Sequence, residues 1–261
     1  MNNKIKIAYS PCPNDTFIFY KLSQDPNYQV SLQDIDLLNK NALEGIYDIT
    51  KMSFYAWLKV KNKYDLINSG SALGKGCGPL VVSKNGKGIS NNSLIAIPGE
   101  YTTANLLYKL CYGDLGECIY MPYSKIMDAL DNNEVDVGVI IHEGRFVFKD
   151  KGFVFEKDLG EWWEGETNLP IPLGCIAVKK NLGKEAFIKA EQDVYRSIRY
   201  AQKNRHETKE YIKKHAQEME DKVIDSHINL YVNNFTLKLD DTAYLSINEI
   251  EKRAMQLGLI K

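Results

Sequence analysis

The sequence has no C-x-x-C pair, no cysteine–histidine cluster at metal spacing, no G-x-G-x-x-G turn and no P-loop. These absences argue against a structural zinc site, dithiol redox chemistry and a glycine-rich cradle for nucleotide phosphates, and the expectation is a protein with no cofactor and no metal. No apolar run approaches the ~18 residues needed to span a bilayer. An excess of charge is also missing: 33 Lys plus Arg stand against 34 Asp plus Glu, a formal net charge of −1, so no global field draws nucleic acid or an anionic membrane. Selectivity for an anion must therefore be local. The five cysteines, Cys12, Cys77, Cys111, Cys118 and Cys175, are odd in number and scattered, which reads as reduced thiols of a cytoplasmic protein. The opening MNNKIKIAYSPCPND lacks the uninterrupted apolar core of a secretory signal, in line with a cytoplasmic location.

What is present is an ordinary globular composition, 44% apolar and 26% charged over 261 residues, enough for one large unit or two small lobes at ~150 residues per domain. A weak internal repeat favours two. Two stretches about 88 residues apart share one plan. In each, a β-rich run (Ile5 to Tyr9; Leu94 to Ile97) leads through a Pro-marked turn to a threonine (Thr16; Thr103) and a helical stretch ending Tyr-Lys-Leu. An Ala-Leu pair then closes a second helix (Ala42-Leu43; Ala129-Leu130), and Asp plus a β-branched residue opens another strand (Asp48-Ile49; Asp136-Val137). The strand ends deliver Lys51-Met52-Ser53 in one copy and His142-Glu143-Gly144 in the other. Ligands of open parallel α/β sheets bind beyond the carboxyl ends of strands, so both sets of strand ends would face one cleft.

Gly74, Gly76 and Gly78 precede the short strand Leu80 to Ser83, and a second short strand, Gly174 to Val178, follows NLPIPLG. Read as the outward and return crossings, they divide the chain into a discontinuous first lobe, residues 1–84 plus 175–261, and a second lobe, residues 85–174. Phe187, Ala190, Val194, Tyr195, Ile198 and Ala201 recur at helical spacing in the C-terminal part, which is expected to pack rather than react. His206, His215 and His227 fall in this polar stretch and are expected to be surface or capping residues.

The chemistry-bearing candidates sit at the turns. Ser10 to Thr16 joins the first strand to the first helix, with Asn14, Asp15 or Thr16 available as N-cap and with free N–H groups suited to an anion. Gly99 to Ala104 repeats the design with Thr102 and Thr103, one of which is expected simply to cap the helix. Ser53 is a plausible N-cap facing the cleft, and Lys51 can supply a charge, although a solvated lysine is the ordinary alternative. Cys12, between two prolines with no cationic neighbour in sequence, is poorly placed to be a nucleophile. His142 follows the apolar VDVGVII and stands where that strand stops. From position alone it is equally a core polar group or a base working near neutral pH.

SPCPNDTFIF, SALGKGCGPLVV, PGEYTTA, IIHEGRF, DLGEWWE and the NLPIPLG turn, in this order through both lobes, resemble the 1,4-dihydroxy-6-naphthoate synthase family of the futalosine route to menaquinone. The resemblance implies an α/β, two-lobe fold like the type II periplasmic binding proteins, with a hinged cleft between the lobes. It also implies a cytoplasmic carbon–carbon lyase that converts cyclic dehypoxanthinyl futalosine, a small anionic carboxylate, to 1,4-dihydroxy-6-naphthoate. The histidine of the family's I-I-H-E motif, its proton acceptor, matches His142. Its substrate contacts match Lys51, Met52 and Ser53, and Thr103 with Ala104; Asn14 and Thr102 are added from the turns described above. Two other readings are a chorismate dehydratase of the same pathway and a carboxylate-binding protein without chemistry. Neither nucleic acid nor membrane is expected as a partner.

Overall fold

A computed structural model describes residues 4–86, 88–216 and 220–260. The chain runs β1 (Ile5–Tyr9), α1 (Pro13–Ser23), β2 (Tyr28–Leu32), α2 (Ile35–Glu44), β3 (Ile49–Ser53), α3 (Phe54–Val60), β4 (Tyr64–Leu66) and β5 (Ala72–Gly74). It continues through β6 (Leu80–Ser83), β7 (Leu94–Ile97), α4 (Thr103–Tyr112), β8 (Glu117–Tyr120), α5 (Tyr123–Asp131), β9 (Val137–Ile140), α6 (Gly144–Val147), β10 (Val154–Asp158) and α7 (Leu159–Thr167). It closes with β11 (Ile171–Lys179), α8 (Gly183–Lys203), α9 (Arg205–His215), α10 (Asp221–Tyr231), α11 (Asn234–Leu237) and α12 (Asp241–Gln256).

Two sheets form, one in each lobe. The first has the order β2-β1-β3-β11-β4, with β5 also pairing β11; the second has the order β10-β6-β9-β7-β8. Within them β2-β1-β3 and β8-β7-β9 are parallel, and each trio is extended past its third strand by an antiparallel one, β11 or β6. The internal repeat is thus a repeat of strand order. Both antiparallel strands lie just after a crossing between lobes, which is why the two crossings run side by side.

Sheet pairing moves the crossings a few residues earlier than the sequence divides the lobes. Leu80–Ser83 pairs with Val137–Ile140 in the second sheet, and Ile171 already pairs with Gly74 in the first. The chain crosses at residues 75–79 and again between α7 and β11. Gly78 and Gly160 meet there: a Cβ on Gly78 would stand 2.2 Å from the Gly160 nitrogen, so no other residue fits at the contact.

The largest apolar cluster joins the lobes, with Met52, Phe54 and Tyr64 on one side and Ile97, Leu106 and Trp163 on the other. A second fixes the C-terminal helices to the first sheet through Ile7, Ile18, Val194 and Ile198. In α8 the residues at helical spacing, Ala190, Val194, Ile198 and Ala201, are buried as the pattern predicts, whereas Tyr195 is 44% exposed. Ser197 Oγ donates to the Ile18 carbonyl at 2.6 Å and tethers α8 to α1. None of the described helices is long and apolar enough to cross a membrane.

Candidate active site

A cleft opens between the lobes, lined from the first by Asn14, Lys51 and Ser53 and from the second by Thr102, Thr103, Ala104 and His142. Seven of the eight residues singled out in the sequence therefore meet in one place. Met52 does not line the cleft. Side chains alternate along a strand, so when Lys51 and Ser53 of β3 face the cleft, Met52 points into the apolar cluster, fully buried. Only its backbone is near the cleft.

The first turn differs from expectation in detail. Cys12, not Asn14, Asp15 or Thr16, is the N-cap, because Pro13 is tolerated at the first helical position, where its missing N–H costs nothing. Asp15 then falls inside the first turn, buried, and accepts from Ser10 Oγ at 2.7 Å and Asn14 Nδ2 at 2.9 Å. Lys51 reaches across from β3 to within 3.1 Å of Asp15 Oδ1 and donates to the Gly70 carbonyl at 2.9 Å. It is neither solvated nor free: the pair is buried and neutral, so it offers no net charge to an anion.

Anion-binding capacity lies instead in the backbone at the start of α4. Thr102 caps the helix, accepting from Asn105 N and donating to the Gly99 carbonyl. Thr103 Oγ1 donates to the Leu173 carbonyl at 2.7 Å and accepts from Tyr55 N at 3.3 Å, so it ties α4 to the first lobe. The N–H groups of Thr103 and Ala104 have no intrahelical acceptor, as at any helix start, and both residues line the cleft. Across from them Ser53 stands at the N-cap position of α3 without a side-chain capping bond, its Oγ and N–H engaged by Asn39 instead.

His142 lies two residues beyond β9 with φ 56°, the left-handed region that a residue with a bulky side chain occupies at a cost. Arg145, three residues on, pairs with Asp158 at 2.7 Å and holds this turn to the lobe. Part of the His142 ring is open to the cleft, while Nε2 is buried with no hydrogen-bond partner. Tyr123 packs on the ring at 4.8 Å between centroids. Burial pushes the His142 pKa down to about 4; nearby Asp15 opposes the shift and Lys51 adds to it. The imidazole is therefore neutral near pH 7 and able to accept a proton.

His227 overturns its sequence expectation. It is fully buried on α10, its ring 6.1 Å from that of His142, and neither ring nitrogen has a hydrogen-bond partner. The signal was legible in helical spacing, since His227 stands three residues after Ile224 and four before Tyr231, both buried on the same face. Asp15, Leu173 and Tyr231 also line the cleft unforeseen. Cys12, His142 and Glu143 bring atoms of ligand type within 4.8 Å of one another, a grouping no spacing rule could find. Burial, and then the Glu143 charge, push the Cys12 thiol well up, away from the reactive thiolate.

Residues 5–256 match the menaquinone biosynthesis family. The chain belongs to that family. Two relatives are the 1,4-dihydroxy-6-naphthoate synthases of Streptomyces coelicolor, 39% identical over 98% of this chain and 94% of the relative, and of Thermus thermophilus, 38% identical over 98% and 95%. Among solved structures, this member of the menaquinone biosynthesis family superposes on a protein of Archaeoglobus fulgidus with TM-score 0.94 and 32% identity, over 98% of each chain. It also shares its fold, at TM-score 0.72 and 12% identity over 99% of this chain and 94% of the other, with the alkanesulfonate-binding protein of Xanthomonas axonopodis bound to MOPS. The two-lobe architecture is that of the periplasmic binding proteins.

Proposed function

We propose that the protein is a carbon–carbon lyase that converts cyclic dehypoxanthinyl futalosine to 1,4-dihydroxy-6-naphthoate in menaquinone biosynthesis, with His142 as general base. The observation that carries the catalytic part is a neutral imidazole at the cleft, held by its backbone and by packing and unprotonated near pH 7. Full-length identity of 38–39% to two naphthoate synthases supports the reaction.

In this reading the substrate carboxylate lies against the N–H groups of Thr103 and Ala104, with Ser53 and Asn14 across the cleft. His142 takes a proton from carbon; the C–H electron pair becomes a π bond of the ring as the carbon–carbon bond breaks, the electron pair of that bond leaves with the departing fragment, and aromatisation of the ring supplies the driving force. The imidazolium returns its proton to the released fragment, so the base is regenerated and no hydride or electron carrier enters the balance. A base with a pKa of about 4 is weak in the empty cleft. A carboxylate brought in by closure adds negative charge nearby and raises it toward the pH at which the enzyme works. The five unpaired thiols support a cytoplasmic setting.

Purified protein incubated in parallel with cyclic dehypoxanthinyl futalosine and with chorismate tests the reading. Naphthoate absorbance should grow in the first and chorismate should be recovered intact from the second. Dehydration of chorismate, or recovery of both compounds unchanged, would overturn it.

A further inference from the structure

His142 lacks the usual partner of a histidine base. A neutral imidazole carries its single proton on one of two nitrogens, and a hydrogen bond to the other side of the ring decides which nitrogen is left free to accept. No carboxylate is hydrogen-bonded to His142 among the described residues; its buried nitrogen, Nε2, is unpartnered. The ring next to it belongs to a second histidine. His227 is fully buried, brought from the other lobe by α10, with its ring plane 33° from that of His142 and Tyr231 and Phe146 packed around it. Leaving both nitrogens of a buried imidazole unused is costly, and the apolar face of α10 would take an aliphatic residue with no such cost.

We propose that His227 is a positioning residue for His142: one of its ring nitrogens accepts the Nε2–H of His142 through one bridging water, and so leaves the Nδ1 lone pair facing the cleft. The inference rests on His142 being the base. When Nδ1 takes the proton from substrate, the positive charge on the imidazolium is shared with the neutral ring behind it, and no further reactant is needed. Because the two rings belong to different lobes, the base is set when the lobes are together.

Burial keeps His227 itself uncharged, its pKa well below the ordinary value, which makes it an acceptor near neutral pH. Apart from Glu143, the other groups around the pair do not imitate its effect. Asp15 and Lys51 neutralise each other; Cys12, Tyr123 and Tyr231 are kept protonated, chiefly by burial; Glu143 and Arg145, the latter paired with Asp158, lie on the His142 turn. Glu143 is the other group there that can shape the acidic limb of a kcat–pH profile, so the profile is recorded in a Glu143→Gln background, where the limb reports His142.

Replacing His227 with Phe keeps an aromatic ring in an apolar site and removes the acceptor. The expected result is a kcat lower by ~10- to 100-fold with KM little changed, and an acidic limb moved to lower pH, because the imidazolium of His142 has lost its partner. His227→Gln, which retains an acceptor, should recover most of both. An unchanged kcat and acidic limb in folded His227→Phe overturns the proposal. Should that variant not fold, side-chain nitrogen NMR of the unaltered protein decides: His142 protonated on Nε2 is required, and protonation on Nδ1 overturns it. Near-normal turnover by His142→Asn would instead sink the base itself. Collapse there, beside an unaffected His227→Phe, sinks only the role of His227.

Discussion

His142 occupies a left-handed backbone position with one ring nitrogen buried and unpartnered, a combination that destabilises the fold and calls for a functional reason. Its depressed pKa has a consequence for stability. Between the ordinary histidine value of 6.5 and about 4, the unfolded chain binds a proton that the folded chain refuses. Stability is therefore full above pH 6.5 and falls as the pH drops through that window, with His142 contributing up to roughly 3 kcal/mol and His227 acting in the same direction. Urea melts at about pH 7.5 and about pH 5 should differ accordingly, and His227→Phe should lose less between them. Equal stabilities at the two values would contradict the burial of neutral histidines. The Lys51–Asp15 pair gives a second test, since both partners are buried. Lys51→Met leaves a buried carboxylate alone and should cost about 3–5 kcal/mol in denaturant melts, part of which Asp15→Asn restores in the double variant. A cost within the range of surface substitutions would mean that the pair is not buried in solution. His142 was legible because it ends an apolar strand. The ion pair was not, because it is assembled by packing between residues far apart in sequence; helical spacing shows His227 to be buried, but its place beside His142 comes only from the packing of α10.

At the scale of elements the turns and strands were the most legible. β1, β6 and β7 have the bounds that alternation and Pro or Gly punctuation indicate, and Ser53 holds the N-cap position of α3, although its side chain bonds Asn39 and not the helix. The start of α1 was misplaced because an N-cap preference for polar side chains competed with the tolerance of Pro for the first helical position, and the latter won. Gly99 is one place where elements of the two lobes approach each other. It sits between β7 and α4 at φ 110°, and a Cβ there would be 2.4 Å from Asp36 Oδ1 on α2. Asp36 is held by Lys40, so it yields little room. Gly99→Ala should keep both lobes folded but hold them apart, raising KM by ~10-fold or more while Tm falls by only a few degrees. Steady-state kinetics with solution scattering checks this; a normal KM with an unaltered scattering profile would show that Gly99 does not govern closure.

For the whole molecule, the repeat indicated two similar lobes with their strand ends toward one cleft, and the two sheets prove to share the order of their parallel strands as well. The crossings were harder to place, because a strand that follows a crossing looks the same in sequence whichever sheet it joins. Among the hydrogen bonds between the lobes, Asn39 Nδ2 to the Tyr101 carbonyl and Tyr55 N to Thr103 are long, at 3.3 Å each, whereas Thr103 Oγ1 to the Leu173 carbonyl is 2.7 Å, so opening to admit substrate must part at least one short bond. What closure would achieve is to bring the acidic C–H to His142. The direct test is turnover of cyclic dehypoxanthinyl futalosine by His142→Asn beside the unaltered protein, with melting recorded on both samples. Asn suits the left-handed position and accepts no proton near pH 7. The account predicts a fall of ~10²- to 10⁴-fold in kcat with a cooperative melt retained; near-normal turnover by a folded variant would contradict it.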